Sequence, residues 1–137
     1  MQRKTLLNSI GALLWIAMAT LDAESTVEWS ELGTLPPAEG QSEHPGVAGP
    51  FTGVHHNALI IAGGANFPNK PLWETAKVWH DDIHVLEKQG ETYAWRAGGE
   101  LPRPLAYGAS VSTTDGVLCM GGDDGTRVTD EVFLIGW

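Results

Sequence analysis

Past residue 24 the chain carries no sustained helical spacing of apolar residues; it runs in short β-rich segments punctuated by glycine. Two of these segments superpose. Residues 47–64 (VAGPFTGVHHNALIIAGG) lie over residues 105–122 (LAYGASVSTTDGVLCMGG) at a constant offset of 58. Each reads as a strand, a polar turn (His55-His56-Asn57 or Thr113-Thr114-Asp115-Gly116), an apolar strand and a double glycine. A third strand follows each double glycine: Asp81 to Leu86 aligns with Asp130 to Ile135 at an offset of 49. The shorter offset places a nine-residue insertion between Ala65 and His80. A fourth strand, Thr92 to Arg96, completes the first unit, and Trp137 reads as the start of its counterpart. Upstream, the strand-like run Thr26 to Ser30 precedes Leu35-Pro36-Pro37 much as Trp95 precedes Leu101-Pro102.

Four short strands recurring at roughly 50 residues are the signature of a kelch-type β-propeller blade. The predicted fold class is therefore all-β, a kelch-type β-propeller with about two blades present where a kelch ring commonly has six or seven. Residues 47–104 form the first blade and 105–137 an incomplete second; residues 24–46 hold a closing strand and a linker. The double glycine suits a backbone approach that a Cβ would obstruct, and the fourth-strand tryptophan suits packing between blades. A generic β-sandwich is the competing architecture. Two blades cannot close a ring, because a repeat buries its faces only against neighbours. The expectation is a truncated gene product or partial sequence, with Trp29 on an outer strand that closes the ring from the N-terminal side.

Composition supports a packed core: 42% of residues are hydrophobic and six are tryptophan. The formal net charge of −9 repels phosphate backbones, and no Lys/Arg cluster offsets it, so nucleic acid is excluded as a partner. Cys119, the only cysteine, sits in the apolar run Val117-Leu118-Cys119-Met120, where a buried packing role is expected. At the N-terminus, Arg3 and Lys4 precede an apolar stretch that ends in Ala17-Met18-Ala19. This is the layout of a secretory signal peptide over residues 1–23, cleaved after Ala19 or Ala23. Asn8 and Ser9 leave the stretch short of the roughly 20 apolar residues of a spanning helix. A periplasmic or secreted protein, off the membrane after cleavage, is the expectation.

The loop leaving the second strand and the loop leading into the first emerge on the same face of a four-stranded meander. That mouth is expected to gather Asn66, Arg103, Tyr107, Asp123 and Asp124. Arginine suits a carboxylate, amides and carboxylates suit hydroxyls, and an aromatic suits a sugar face, so a small anionic sugar is the predicted ligand class. The plainer alternative makes Asp123-Asp124-Gly125 only a turn and Arg103 a solvated loop residue. No metal site is expected. His80 and His84, four apart on a strand, stand roughly 13 Å from each other, and His55 and His56, as neighbours, are expected to point opposite ways.

The run Ala62-Gly63-Gly64-Ala65-Asn66-Phe67-Pro68, with Leu101-Pro102-Arg103-Pro104-Leu105-Ala106-Tyr107-Gly108 and Gly121-Gly122-Asp123, resembles the sialic acid mutarotase family. These kelch propellers are also called N-acetylneuraminate epimerases and include the cyclically permuted mutarotases. The similarity spans about residues 27–137 and the opening part of a family member. It implies a six-bladed propeller interconverting sialic acid anomers outside the cytoplasm by proton transfer, with a sugar acid as partner and no cofactor. The catalytic residues would then lie in later blades, so none is assigned here; the missing blades would complete the ring. A noncatalytic kelch module that binds glycan or protein is the alternative.

Overall fold

The computed structural model describes residues 26–38, 40–69, 71 and 74–137. The predicted signal peptide lies outside them. They hold nine strands and no α-helix: β1 (Phe51–His55), β2 (Ala58–Ala62), β3 (Ala65–Asn66), β4 (Val78–Trp79), β5 (Asp82–Gln89), β6 (Thr92–Glu100), β7 (Ala109–Thr113), β8 (Gly116–Met120) and β9 (Val132–Ile135). β1, β2, β5 and β6 form an antiparallel meander, a complete blade; β7, β8 and β9 form the three-stranded beginning of another; β3 and β4 make a small ribbon. The β1–β2 hairpin closes through His56 and Asn57, both at positive φ (47° and 62°), the left-handed pair that a tight two-residue hairpin turn requires.

The repeat holds bond for bond. Phe51 pairs with Ala62 as Ala109 pairs with Met120, and Leu59 pairs with Leu86 as Val117 pairs with Ile135. Gly63 donates its N–H to Asp82 (2.9 Å) and Gly121 to Glu131 (2.8 Å); His80 donates to Gly64 and Thr129 to Gly122, both at 2.9 Å. By this register Trp137 corresponds to Lys88, near the end of the third strand, and not to the fourth-strand Trp95. Trp137 instead reaches back to the first blade: its N–H donates to His55 Nδ1 (3.0 Å), its carbonyl meets His56 Nδ1 (2.7 Å) and its indole donates to Glu87 (2.9 Å). His55 and His56 stack with ring centroids 3.8 Å apart. The expectation that they diverge fails because positive φ at His56 ends the strand alternation there.

The two sheets meet along their first strands. Ser110 Oγ both accepts from the Thr52 N–H (2.9 Å) and donates to the Thr52 carbonyl (2.8 Å), and Ser112 Oγ accepts from the Val54 N–H (2.8 Å). Between these contacts Gly53 leaves room for Val117, whose methyls would stand within 2.7 Å of a Cβ there. Phe51 is the central plug: fully buried, it packs edge-on to Phe133 at 5.3 Å and lies on Gly108, where a Cβ would fall 2.2 Å from its ring. Ile60, Val85, Leu105, Val117 and Cys119 complete this core. Burial pushes the Cys119 thiol up to about 11, consistent with the packing role read from its apolar run.

On the other face of the first blade, Trp95 and His84 help line a cavity with Pro36, Pro37, Ala38 and His44. Trp95 therefore shares this cavity with a strap that includes Pro36, Pro37, Ala38 and His44 of the same chain. The His44 ring stands edge-on to His84 at 5.6 Å, and its Nδ1 accepts the Gly46 N–H at 2.9 Å, which requires a neutral ring. Thr26 to Ser30, read above as a strand, carries no strand assignment; Val27 is 97% and Trp29 86% exposed. A strand needs a ladder partner, and none of the described strands pairs with this run.

Two measurements follow from this packing. Phe51→Ala empties the junction and is expected to cost about 3–5 kcal/mol, read as a lowered urea midpoint; an unchanged midpoint would contradict the plug. Burial lowers the pKa of His44, helped by His84 and His80 against the upward pull of Asp82. Burial likewise lowers that of His84, with Asp82 pulling up and His80 down. The unfolded chain thus binds these protons more readily. The associated stability is present above about pH 6.5 and is lost as pH falls through the lower folded values. The urea midpoint should drop between pH 7.5 and 5.5, and His44→Gln should shrink that drop; an equal drop in the variant would rule out the strap as its source.

Candidate functional site

Backbone bridges bring the predicted loops together. Ala48 and Ala65 exchange N–H···O bonds of 2.8 and 2.9 Å, and Ala106 and Asp123 do the same at 2.9 and 2.8 Å. These pairs tie the segment leading into each first strand to the segment leaving each second strand, the shared face inferred from the meander. Asn66 on β3 makes two side-chain hydrogen bonds there. Its Nδ2 donates to the Gly46 carbonyl (2.7 Å) and its Oδ1 lies 2.8 Å from His80 Nε2, which makes that nitrogen the donor. Asn66 thus clamps residue 46 to the β3–β4 ribbon.

Asn66 and Tyr107 line a common cavity of about 460 Å³ with Pro45, Val47, Phe67 and Lys77. The half-buried Lys77 precedes β4, at the end of a loop nine residues longer than its counterpart in the second blade. Its ammonium stands 4.3 Å from the Tyr107 ring centre and 5.2 Å from that of Trp79, a two-sided cation–π seat. Tyr107 is 43% exposed and holds φ at +63°, a left-handed conformation that is uncommon away from glycine. Its N–H donates to the Gly49 carbonyl (2.7 Å), and its ring covers Gly49, where a Cβ would stand 2.3 Å from Cδ1. Gly125 packs against the Trp79 ring in the same way, at 2.9 Å from its own virtual Cβ.

Arg103, Asp123 and Asp124 gather in a separate cluster held by internal bonds, with only the Arg103 Nε among its buried side-chain atoms lacking a hydrogen bond. Arg103 forks onto Glu131 with bonds of 3.1 and 2.7 Å, while its buried Nε lies 4.0 Å from Asp124, close enough for charge attraction but not for a hydrogen bond. Asp124 Oδ2 is 3.5 Å from Arg127, and Asp124 Oδ1 accepts the Thr126 hydroxyl and the N–H groups of Thr126 (2.9 Å) and Arg127 (3.0 Å). Asp123 Oδ1 accepts the Gly125 N–H at 2.9 Å. The Thr126 hydroxyl and then these backbone donors hold the Asp124 carboxyl well below the usual range, so it stays ionised and is unsuited to donating a proton near neutrality.

Of the five predicted residues, then, Asn66 and Tyr107 share a cavity, and the other three stabilise a bend beside it. Asp123 bridges Ala106 and Val128, its carboxylate and that of Asp124 brace the bend at Gly125-Thr126, and Arg103 is ion-paired. Sequence reasoning passed over Lys77, Trp79 and Glu131. The polar–apolar alternation of Lys77-Val78-Trp79-His80 was a usable signal for the ribbon; its counterpart in the second unit, the Asp123–Val128 bridge, is too short to mark it.

A family model described as N-acetylneuraminate epimerase matches residues 15–137. Relatives named N-acetylneuraminate epimerase include one from Brucella melitensis, 34% identical over 83% of this chain and 31% of its own length. Another, from Vibrio vulnificus, is 38% identical over 79% of this chain and 30% of its own length. A third, from Yersinia pestis, is 38% identical over 82% and 31%. A solved structure, that of YjhT, superposes with a TM-score of 0.60 at 31% identity, covering 75% of this chain and 31% of that one. The chain spans about a third of the length of the relatives it matches, and its fold is that of a β-propeller.

Proposed function

The chain belongs to the N-acetylneuraminate epimerase family, and from that membership we propose that it supplies the opening blades of an exported enzyme that interconverts the anomers of N-acetylneuraminic acid. The family match across residues 15–137 carries this reading. The charged n-region and apolar stretch of residues 1–23 support export to the periplasm or beyond. A ring of six blades, of which two lie here, agrees with a chain covering 31% of its relatives.

The chemistry is a pair of proton transfers. A base removes the proton of the anomeric hydroxyl, the C2–O bond to the ring oxygen breaks as C2=O forms, and an acid protonates the departing ring oxygen. Rotation about C2–C3 and reclosure on the other carbonyl face give the second anomer. No electron changes hands and no group leaves, so the reaction calls for neither redox nor organic cofactor. The residues of this chain bind and shape rather than catalyse: Asp124 is held ionised, Asn66 fixes the wall of the cavity, and Tyr107 presents a ring to it. The acid and base are placed in later blades.

A second reading, glycan binding without catalysis, draws on one observation: Asp123, Asp124 and Glu131 are each held by internal hydrogen bonds. One experiment separates the two. The α-anomer of N-acetylneuraminate, released by a sialidase, is followed by proton NMR with and without the product of the whole open reading frame. Faster conversion to the β-anomer than with heat-denatured protein is the expected result. Binding without acceleration would favour the second reading, and neither binding nor acceleration would refute both.

A further inference from the structure

The cation at the cavity differs from the arginines of the fold. Arg96, Arg103 and Arg127 each have a carboxylate within 4.0 Å, at Glu87, Glu131 and Asp124. Lys77 has none among the described residues, although the chain carries 17 acidic side chains against eight basic ones. Nor does its ammonium meet a hydrogen-bond acceptor among them; aromatic faces stand 4.3 and 5.2 Å away instead. Such a seat attracts the charge without using up its N–H donors. The donors remain available on the border of a cavity of about 460 Å³, large enough for a monosaccharide.

Tyr107 supplies an independent observation. Its repeat equivalent Gly49 holds the same left-handed conformation (φ 62° against 63°), so the junction sets the backbone there, and the second blade places a tyrosine where glycine would carry no strain. Here the strained backbone turns a half-exposed ring over Gly49 and against the ammonium, although its side chain contributes nothing to the buried core. Half-burial of Lys77 between the rings also fixes a long side chain that would otherwise lose entropy on binding.

We infer that Lys77, seated on Tyr107 and Trp79, is a binding residue that takes the carboxylate of the sugar acid; this deepens the proposed function and rests on it. A net-negative protein repels an anionic substrate at long range, and one half-buried lysine at the cavity offsets that repulsion locally. It also selects the sugar acid over its neutral analogues, since a carboxylate forms a charge-assisted bond with it that an ester cannot.

The test uses the product of the whole open reading frame, with dissociation constants measured by calorimetry for N-acetylneuraminate and for its methyl ester. Lys77→Met is expected to weaken binding of the acid about ten- to a hundredfold while leaving the ester unchanged, and Lys77→Arg to restore most of the loss. Should Lys77→Met not fold, as judged by circular dichroism, the wild-type Lys77 ε-CH2 NMR signals serve instead and should shift saturably with the acid but not with the ester. Equal affinity of wild type and Lys77→Met for the acid, or an unmoved ε-CH2 signal, overturns the subsite while the sialic acid reading stands. Lys77-dependent binding of galacturonate with none of N-acetylneuraminate sinks the sialic acid reading and keeps the subsite. Binding of neither acid overturns both.

Discussion

The hydrogen bond from the Gly64 N–H to the Leu105 carbonyl, 2.8 Å long, joins the backbone of one blade to the segment that begins the next. It exists because no side chain stands in the way. A Cβ on Gly63 would lie 2.3 Å from that same carbonyl oxygen, and both glycines hold positive φ, at 64° and 98°. Gly121 and Gly122 repeat the conformation at 65° and 104°. The close approach sets the spacing between blades, and the other junction contacts depend on it. The Tyr107 N–H reaches Gly49 at 2.7 Å, Phe51 fills the gap left over Gly108, and the loops of the candidate site are drawn to one face.

Much of this was legible in the sequence because the repeat is written twice. The offset of 58 predicted which residues share a ladder position, and it is also the separation of the residues that touch across the junction, Thr52 with Ser110 and Val54 with Ser112. The glycines announced themselves because their conformation and their tight contacts both exclude a Cβ. What the pattern could not show was local chemistry without a second copy. The β3–β4 ribbon closes a loop nine residues longer than its counterpart, the lone Asp123–Val128 bridge of the second blade, where valine stands for Trp79 and threonine for Lys77. Glu131 was read only as the acidic start of a strand, and its fork with Arg103 depends on a chain reversal that spacing does not encode. Trp137 was assigned to the wrong strand because an aromatic match was preferred over the register, which points to Lys88.

The candidate site divides along the same line. Positions matched between the blades became structure: Asp123 sits where Ala65 does in the ladder, and Asp124 where Asn66 does, and both Asn66 and Asp124 spend their polar atoms on neighbouring backbone and side chains. Lys77, where the second blade has Thr126, keeps its donors unused among the described residues. In a fold built from copies, the shared positions serve the assembly and the departures are where recognition is free to reside.

The serine hydroxyls at the junction have a consequence for aggregation. β1 is the outermost strand of its sheet, and its exposed N–H and C=O groups are the kind of edge that recruits a stray strand. Had β7 met it backbone to backbone, the two sheets would have fused into one continuous ladder. Ser110 instead satisfies both polar groups of Thr52 with a single side chain, and Ser112 satisfies the N–H of Val54. The edge is capped against unwanted pairing, and the two sheets stay separate.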